Sequence, residues 1–153
     1  MRVNRKRFNF MGRKLQHPGS TSSSATAANK GNVRSNTKPE VKIRSLLQRC
    51  GYRFRKDLFI KLNDIEKARP DIVFTKKKVA VFIDGCFWHF CPLHGKIPQS
   101  NILYWIPKLE GNVQRDRLTD NALQTTGWTV LRIWEHEKIE DAVEKIIKTV
   151  NSV

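Results

Sequence analysis

Cys86, Cys91 and His94 are spaced Cys-x4-Cys-x2-His, inside a run that reads Phe82-Ile83-Asp84-Gly85-Cys86-Phe87-Trp88-His89-Phe90-Cys91-Pro92-Leu93-His94. Thiolate and imidazole are metal ligands, a carboxylate beside a histidine can do acid/base work, and adjacent Phe and Trp make a stacking surface. A fourth ligand, His136, follows a later apolar stretch, Trp128 to Trp134. If that stretch is a strand parallel to Val79–Ile83, both loops leave the same end of the sheet and the four side chains converge. Two thiolates and two imidazoles close a tetrahedron, the structural type of zinc site. Such a site contributes on the order of 10 kcal/mol to folding. The plainer reading is two buried cysteines and two surface histidines. Spacing and strand geometry together favour zinc.

A second constellation is acidic. Arg69-Pro70-Asp71 opens one apolar stretch and Asp84 closes the next. In an antiparallel hairpin these carboxylates sit side by side and could share a hard cation. Mg2+ takes one or two carboxylates plus waters and phosphate oxygens, and polarises a phosphodiester. The backbone carbonyl of Ile83 could complete the shell, His89 is placed to take a proton from an attacking water, and Glu40 could hold a water beside the cation. Each has a plainer explanation: an Asp at a strand start is often a cap or an ion-pair partner, and Glu40 fits a capping box with Thr37. Phe87 and Trp88, next to the proposed ligands, are read as a wedge between DNA bases rather than as core.

The elements that must hold these residues follow from pattern. Thr37-Lys38-Pro39-Glu40 starts a helix through Val41, Ile43, Leu46, Leu47 and Cys50, stopped by Gly51. Tyr52 to Lys56 alternates as a half-exposed strand, and Asp57 to Arg69 reads as a loop or edge strand. Asp71–Phe74 and Val79–Ile83 make a tight hairpin whose second strand is apolar on both faces, hence central. A short turn at Ile102–Trp105 and a helix over Lys108–Thr126, with Leu109, Val113, Leu118, Ala122 and Leu123 inward, lead to the Trp128–Trp134 strand. An amphipathic helix over Ile139–Val150 closes the chain. A helix linking two buried strands implies parallel pairing. The fold class is therefore α/β, a three-layer α/β/α sandwich on a mixed central sheet.

The totals agree with an acidic partner. The chain has 153 residues and a formal charge of +15. Residues 1–36 are basic, rich in Ser, Thr and Asn, and are expected to form a disordered arm ahead of one domain over 37–153. Three cysteines, no apolar segment of membrane-spanning length and no apolar run after the first basic residues point to a reducing, cytoplasmic setting, with Cys50 left over as helix core. A merely basic soluble protein would share the charge.

Taken together, Thr-Lys-Pro-Glu at 37–40, Ala-Arg-Pro-Asp at 68–71, Asp-Gly-Cys-Phe-Trp-His at 84–89, Cys-Pro-Leu-His at 91–94, Asn112 to Arg117 and Trp-Glu-His at 134–136 resemble the very short patch repair (Vsr) DNA mismatch endonuclease family. The resemblance runs from about Thr37 to Glu137 and implies a restriction-endonuclease-like fold. It also implies an Mg2+-dependent endonuclease that nicks 5′ of the thymine in T:G mismatches left by 5-methylcytosine deamination. It makes Asp71 the essential cation ligand with the Ile83 carbonyl, His89 the general base and Glu40 a water holder. Phe87 and Trp88 become intercalators, and Cys86, Cys91, His94 and His136 the zinc ligands. Ile83-Asp84 stands where the family pattern has Thr-His, so Asp84 is expected to bind the cation directly. No restriction-type Glu-x-Lys follows. By analogy the protein would act as a bacterial, nucleoid-associated monomer on T:G-mismatched duplex DNA, alongside a MutL-type repair protein and a cytosine-5 methyltransferase. The alternatives are a restriction-like nuclease of other specificity and a zinc-containing DNA-binding module that cleaves nothing.

Overall fold

The computed structural model describes residues 36–62 and 67–153, so the expected N-terminal arm lies outside the described residues but for Asn36. Helix α1 (Lys38–Arg49) is followed by strands β1 (Arg55–Lys56), β2 (Ile60–Lys61), β3 (Lys67–Ala68), β4 (Ile72–Phe74) and β5 (Val79–Asp84), then α2 (Ile102–Thr125), β6 (Thr129–Trp134) and α3 (Ile139–Asn151). The main sheet has the order β1-β4-β5-β6; β4 is antiparallel to β1 and β5, and β6 runs parallel to β5. The expected hairpin and parallel crossover are both present. β2 and β3 form a separate antiparallel pair.

Period-two alternation divides β5 between two cores. Val79 and Val81 join Ile43 and Leu47 of α1 and Ala142, Val143 and Ile146 of α3, with Ile83 packed against them. Ala80 and Val73 meet Leu123 of α2 on the opposite face, together with Ile60 and Ala68; Phe82 and Val130 border that cluster. The result is a three-layer α/β/α domain on a mixed sheet, the architecture expected.

Three local expectations change. The helix forecast from Lys108 begins at Ile102 and runs through Pro107 without a break. Pro107 lies in the second turn, where its missing N–H deprives only the carbonyl of Leu103. Leu118, expected inward, is 61% exposed. The face of α2 that meets the sheet is instead Leu109, Asn112, Asp116, Asp120 and Leu123, a stripe at spacings of three and four whose middle is polar. Cys50 is not core: it is the C-cap of α1, one step past the last helical residue, and is exposed. No helix among the described residues is long and apolar enough to cross a membrane.

Candidate active site and metal cluster

Strand pairing places the first acid. Asp71 N–H donates to the carbonyl of Val81, extending the β4–β5 ladder by one residue, and Asp71 Oδ2 accepts the N–H of Ile83 at 2.7 Å. In an extended strand the N–H and C=O of one residue point to the same side. The Ile83 carbonyl therefore shares the Asp71 side, while the next carbonyl, of Asp84, accepts from Glu135 at the β6 side. Burial pushes the Asp71 carboxyl up to about 6; the Ile83 N–H opposes this, and the charges of Glu40, Asp84 and Asp57 add to it. A carboxylate crowded by other acids, beside a main-chain oxygen, is a donor set of hard oxygens and fits a divalent cation such as Mg2+.

Glu40 is buried at the first turn of α1. Its Oε1 accepts from Thr37 Oγ1 and its Oε2 from the N–H of Asn36, both at 2.8 Å, with Arg44 Nη1 at 3.5 Å. The side chain reaches back past the N-cap to Asn36, a variant of the expected capping box. Its charge is felt at Asp71.

His89 finds a partner that pattern reading missed. Its Nδ1 lies 2.6 Å from Asp116 Oδ2, on the polar stripe of α2, and 3.6 Å from Asp84 Oδ1. Burial pulls the ring's pKa down, but the hydrogen bond to Asp116 and the charges of Asp84 and Asp116 outweigh it, so the imidazole titrates above its usual value. Asp116 sits among charges that read in the sequence as the solvent face of an amphipathic helix.

Asp84 does not stand open beside Asp71 as the hairpin argument expected. Both its oxygens accept from Arg132 Nη1, at 2.9 and 2.8 Å. Burial raises its pKa, against the opposing charges of Arg132 and His89. Phe82 pairs with Arg132 in the parallel register, so Asp84, two residues on, shares Arg132's face of the sheet.

The four expected metal ligands do converge. One donor atom from each of Cys86, Cys91, His94 and His136 lies within 4.8 Å of all the others. Cys86 Sγ is 3.1 Å from His136 Nδ1 and 4.0 Å from His94 Nδ1; Cys91 Sγ is 3.7 and 3.9 Å from the same atoms. A tetrahedral ion with bonds of about 2.0–2.3 Å needs ligand separations of roughly this size. Burial and the neighbouring Cys91 push the Cys86 thiol up to about 11, so its thiolate form needs a cation beside it. The loop is tight: a Cβ at Gly95 would stand 2.6 Å from the carbonyl of Cys91. Glu135 Oε1, adjacent to His136, accepts the N–H of Cys86 at 2.6 Å and ties the two loops together.

Phe87 and Trp88 are half-buried and pack on a ring from α2. Trp105 lies 5.2 Å from Phe87 and 6.0 Å from Trp88, centroid to centroid, and Phe87 and Trp88 are 5.0 Å apart. Asn112 Nδ2 donates to the Trp88 carbonyl at 2.9 Å, fixing the backbone between the rings and His89. Trp105 is a second contributor that pattern reading left in a short turn.

A layered α/β domain with an acid at one strand start, a His–Asp pair past the end of the next strand and a Cys/His cluster beside it fits the class of metal-assisted phosphodiester hydrolases. Comparisons with known proteins narrow the class. Residues 21–93 match the family model described as DNA mismatch endonuclease Vsr. The chain is 56% identical over 120 residues to the type II nicking enzyme V.NaeI of Lentzea aerocolonigenes, across 78% of this chain and 72% of that protein. It is 44% identical over 107 residues to the type II nicking enzyme V.XorIIP of Xanthomonas oryzae pv. oryzae, across 67% and 72% of the two chains. Against the DNA mismatch endonuclease Vsr of Escherichia coli K12 it is 40% identical over 80 residues, 48% of this chain and 51% of that protein. The chain belongs to the Vsr family of DNA-nicking endonucleases.

Proposed function

We propose that the chain nicks one strand of duplex DNA 5′ of the thymine in a T:G mismatch. The observation that supports this reading is that Asp71 accepts the N–H of Ile83 near the end of β5, while the loop that follows β5 carries the His89–Asp116 pair and the Phe87–Trp88–Trp105 rings. A divalent cation held by Asp71 Oδ1 and the Ile83 carbonyl would polarise the scissile phosphate and stabilise the leaving oxyanion. His89, with Nδ1 as donor to Asp116, carries its lone pair on Nε2 and takes the proton of the attacking water. Glu40, fixed by Thr37 and Asn36, would orient a water beside the cation. Phe87 and Trp88 enter the base stack and offset an unstacking cost of a few kcal/mol, least at a mismatch. Cys86, Cys91, His94 and His136 would hold a zinc ion and so brace the loop that carries the rings and His89. The basic arm at residues 1–36 adds phosphate contacts to the 37–153 domain, and a MutL-type protein and a cytosine-5 methyltransferase are companions by analogy.

The test is a nicking assay on a T:G duplex and its C:G control, using protein with its zinc content measured, with Mg2+ and with EDTA. Wild type should cut only the T:G duplex, only with Mg2+, and Asp71→Ala should cut neither. Equal cutting of both duplexes would replace mismatch specificity with a restriction-like activity. Binding without cutting would leave a DNA-binding module.

A further inference from the structure

Arg132 sits at the centre of the acids around the site. Its Nη1 contacts both oxygens of Asp84, while Nε and Nη2 fork onto Asp120 at 2.9 and 2.8 Å. Nη2 also comes 3.6 Å from Asp116 Oδ1, and the guanidinium carbon lies 4.6 Å from the Phe82 ring centroid. Asp116 and Asp120 are one turn apart on α2, so the helix presents both to a strand residue below them. The side chain of Arg132 is 21% exposed and that of Asp84 is 4% exposed. A carboxylate this enclosed must be neutralised, and a planar fork already pinned by a second acid and a ring does so with little further ordering.

Two carboxylates flank the same imidazole nitrogen. Asp116 holds it at 2.6 Å and Asp84 stands at 3.6 Å. Asp84 is also the residue after Ile83, whose N–H donates to Asp71 Oδ2 at 2.7 Å. Without Arg132, Asp84 has two substitutes for its lost counter-charge: the Nδ1 proton of His89 and a cation beside Asp71. Either would pull a working part of the site off its position.

We propose that Arg132 is a positioning residue of the nicking site: by holding Asp84 it keeps that carboxylate from drawing the Nδ1 proton of His89 and from entering the cation shell, and leaves Asp116 as the hydrogen-bond partner of the ring. This rests on the roles given above to Asp71 and His89.

The experiment compares single-turnover nicking and T:G duplex affinity for zinc-loaded wild type, Arg132→Gln, Arg132→Lys, Asp84→Asn/Arg132→Gln, Asp71→Ala and His89→Ala. Arg132→Gln should nick at least about 30-fold slower while binding changes less than about 2-fold, because the lost interaction acts on chemistry and not on DNA. Removing the orphaned charge in Asp84→Asn/Arg132→Gln should recover about 10-fold of that loss, the non-additivity expected of a coupled pair. Arg132→Lys keeps the charge but loses the fork, and should be slower by about 5-fold. If Arg132→Gln does not fold, the lysine variant decides. Wild-type rates in folded Arg132→Gln or in Arg132→Lys would overturn the proposal, as would a double variant no faster than the single. If Asp71→Ala or His89→Ala nicks normally, the reading of the site itself falls. If both are dead while Arg132→Gln nicks normally, only the role of Arg132 falls.

Discussion

His89 Nδ1 and Asp116 Oδ2 are 2.6 Å apart across a loop and a helix separated by 27 residues of chain. The contact sets which ring nitrogen carries the proton and turns Nε2 away from the helix. Asp116→Asn keeps the size but offers an amide that can donate back to the ring, so the wrong tautomer becomes accessible. We expect single-turnover nicking to fall by about 10²–10³, within the range for a lost general base, with T:G affinity held within about 2-fold. Rates of the variant at saturating DNA check this; an unchanged rate would remove His89 from the mechanism.

Asp71 makes the cation-free protein less stable at neutral pH. Its carboxyl titrates at about 6 in the folded chain, against about 4 when unfolded. Between those values the folded state holds a proton the unfolded state has lost, so stability falls as pH rises through the window, by roughly 3 kcal/mol in total. Asp71→Asn removes the charge. At pH 8 without divalent cation the variant should melt several degrees above wild type, and near pH 4 the two should converge. Mg2+ should narrow the gap at pH 8 by stabilising wild type alone. Parallel melting curves across pH 4–8 would contradict the account.

Much of this arrangement was legible beforehand, because it depends on strand order. The β4–β5 hairpin put Asp71 beside Ile83, and the parallel β5–β6 pair brought His136 to Cys86, Cys91 and His94. Both follow from apolar runs and short turns. The polar stripe of α2 was not legible. Periodicity assigns Leu118 inward and Asp116 outward, and only the acids and the guanidinium across the layer reverse that choice. For the same reason the Arg132 partner of Asp84 was not legible: it lies 48 residues on, on another strand. Trp105 falls in a separate short turn when the helix is started at Lys108, but the chain starts it at Ile102 and carries it through Pro107.

The Cys/His cluster makes a prediction about folding. The Cys86 thiol stands near 11 in the absence of metal, so metal uptake must displace protons and should weaken as pH falls. Elemental analysis should find about one zinc per chain, the stoichiometry of a closed four-ligand site. Cys91→Ser should lose the metal and much of the order of 10 kcal/mol that such a site supplies. It should therefore be largely unfolded or melt far below wild type. A Cys91→Ser protein with full zinc content and an unchanged melt would assign the ligands elsewhere.

The ring cluster can be separated from ordinary core by what it does to DNA. Phe87, Trp88 and Trp105 contact one another in the free protein, and Trp88 is held at its carbonyl by Asn112, so the rings are ordered before DNA arrives. Pre-ordering lowers the entropy cost of inserting them. If Trp88 enters the stack, 2-aminopurine placed beside the T:G pair should brighten on binding, and Trp88→Ala should suppress the signal. The same variant should lose about 10–100-fold of its preference for T:G over C:G duplex, the equivalent of a stacking contact worth about 1–3 kcal/mol. Its thermal stability should change little, since Trp88 is only half-buried. If Trp88 serves the fold instead, Trp88→Ala should lower the melting temperature by several degrees, as truncation of a packed aromatic does, and leave the fluorescence rise and the preference intact. The two outcomes move different observables in opposite ways, so one variant distinguishes a wedge from a core residue.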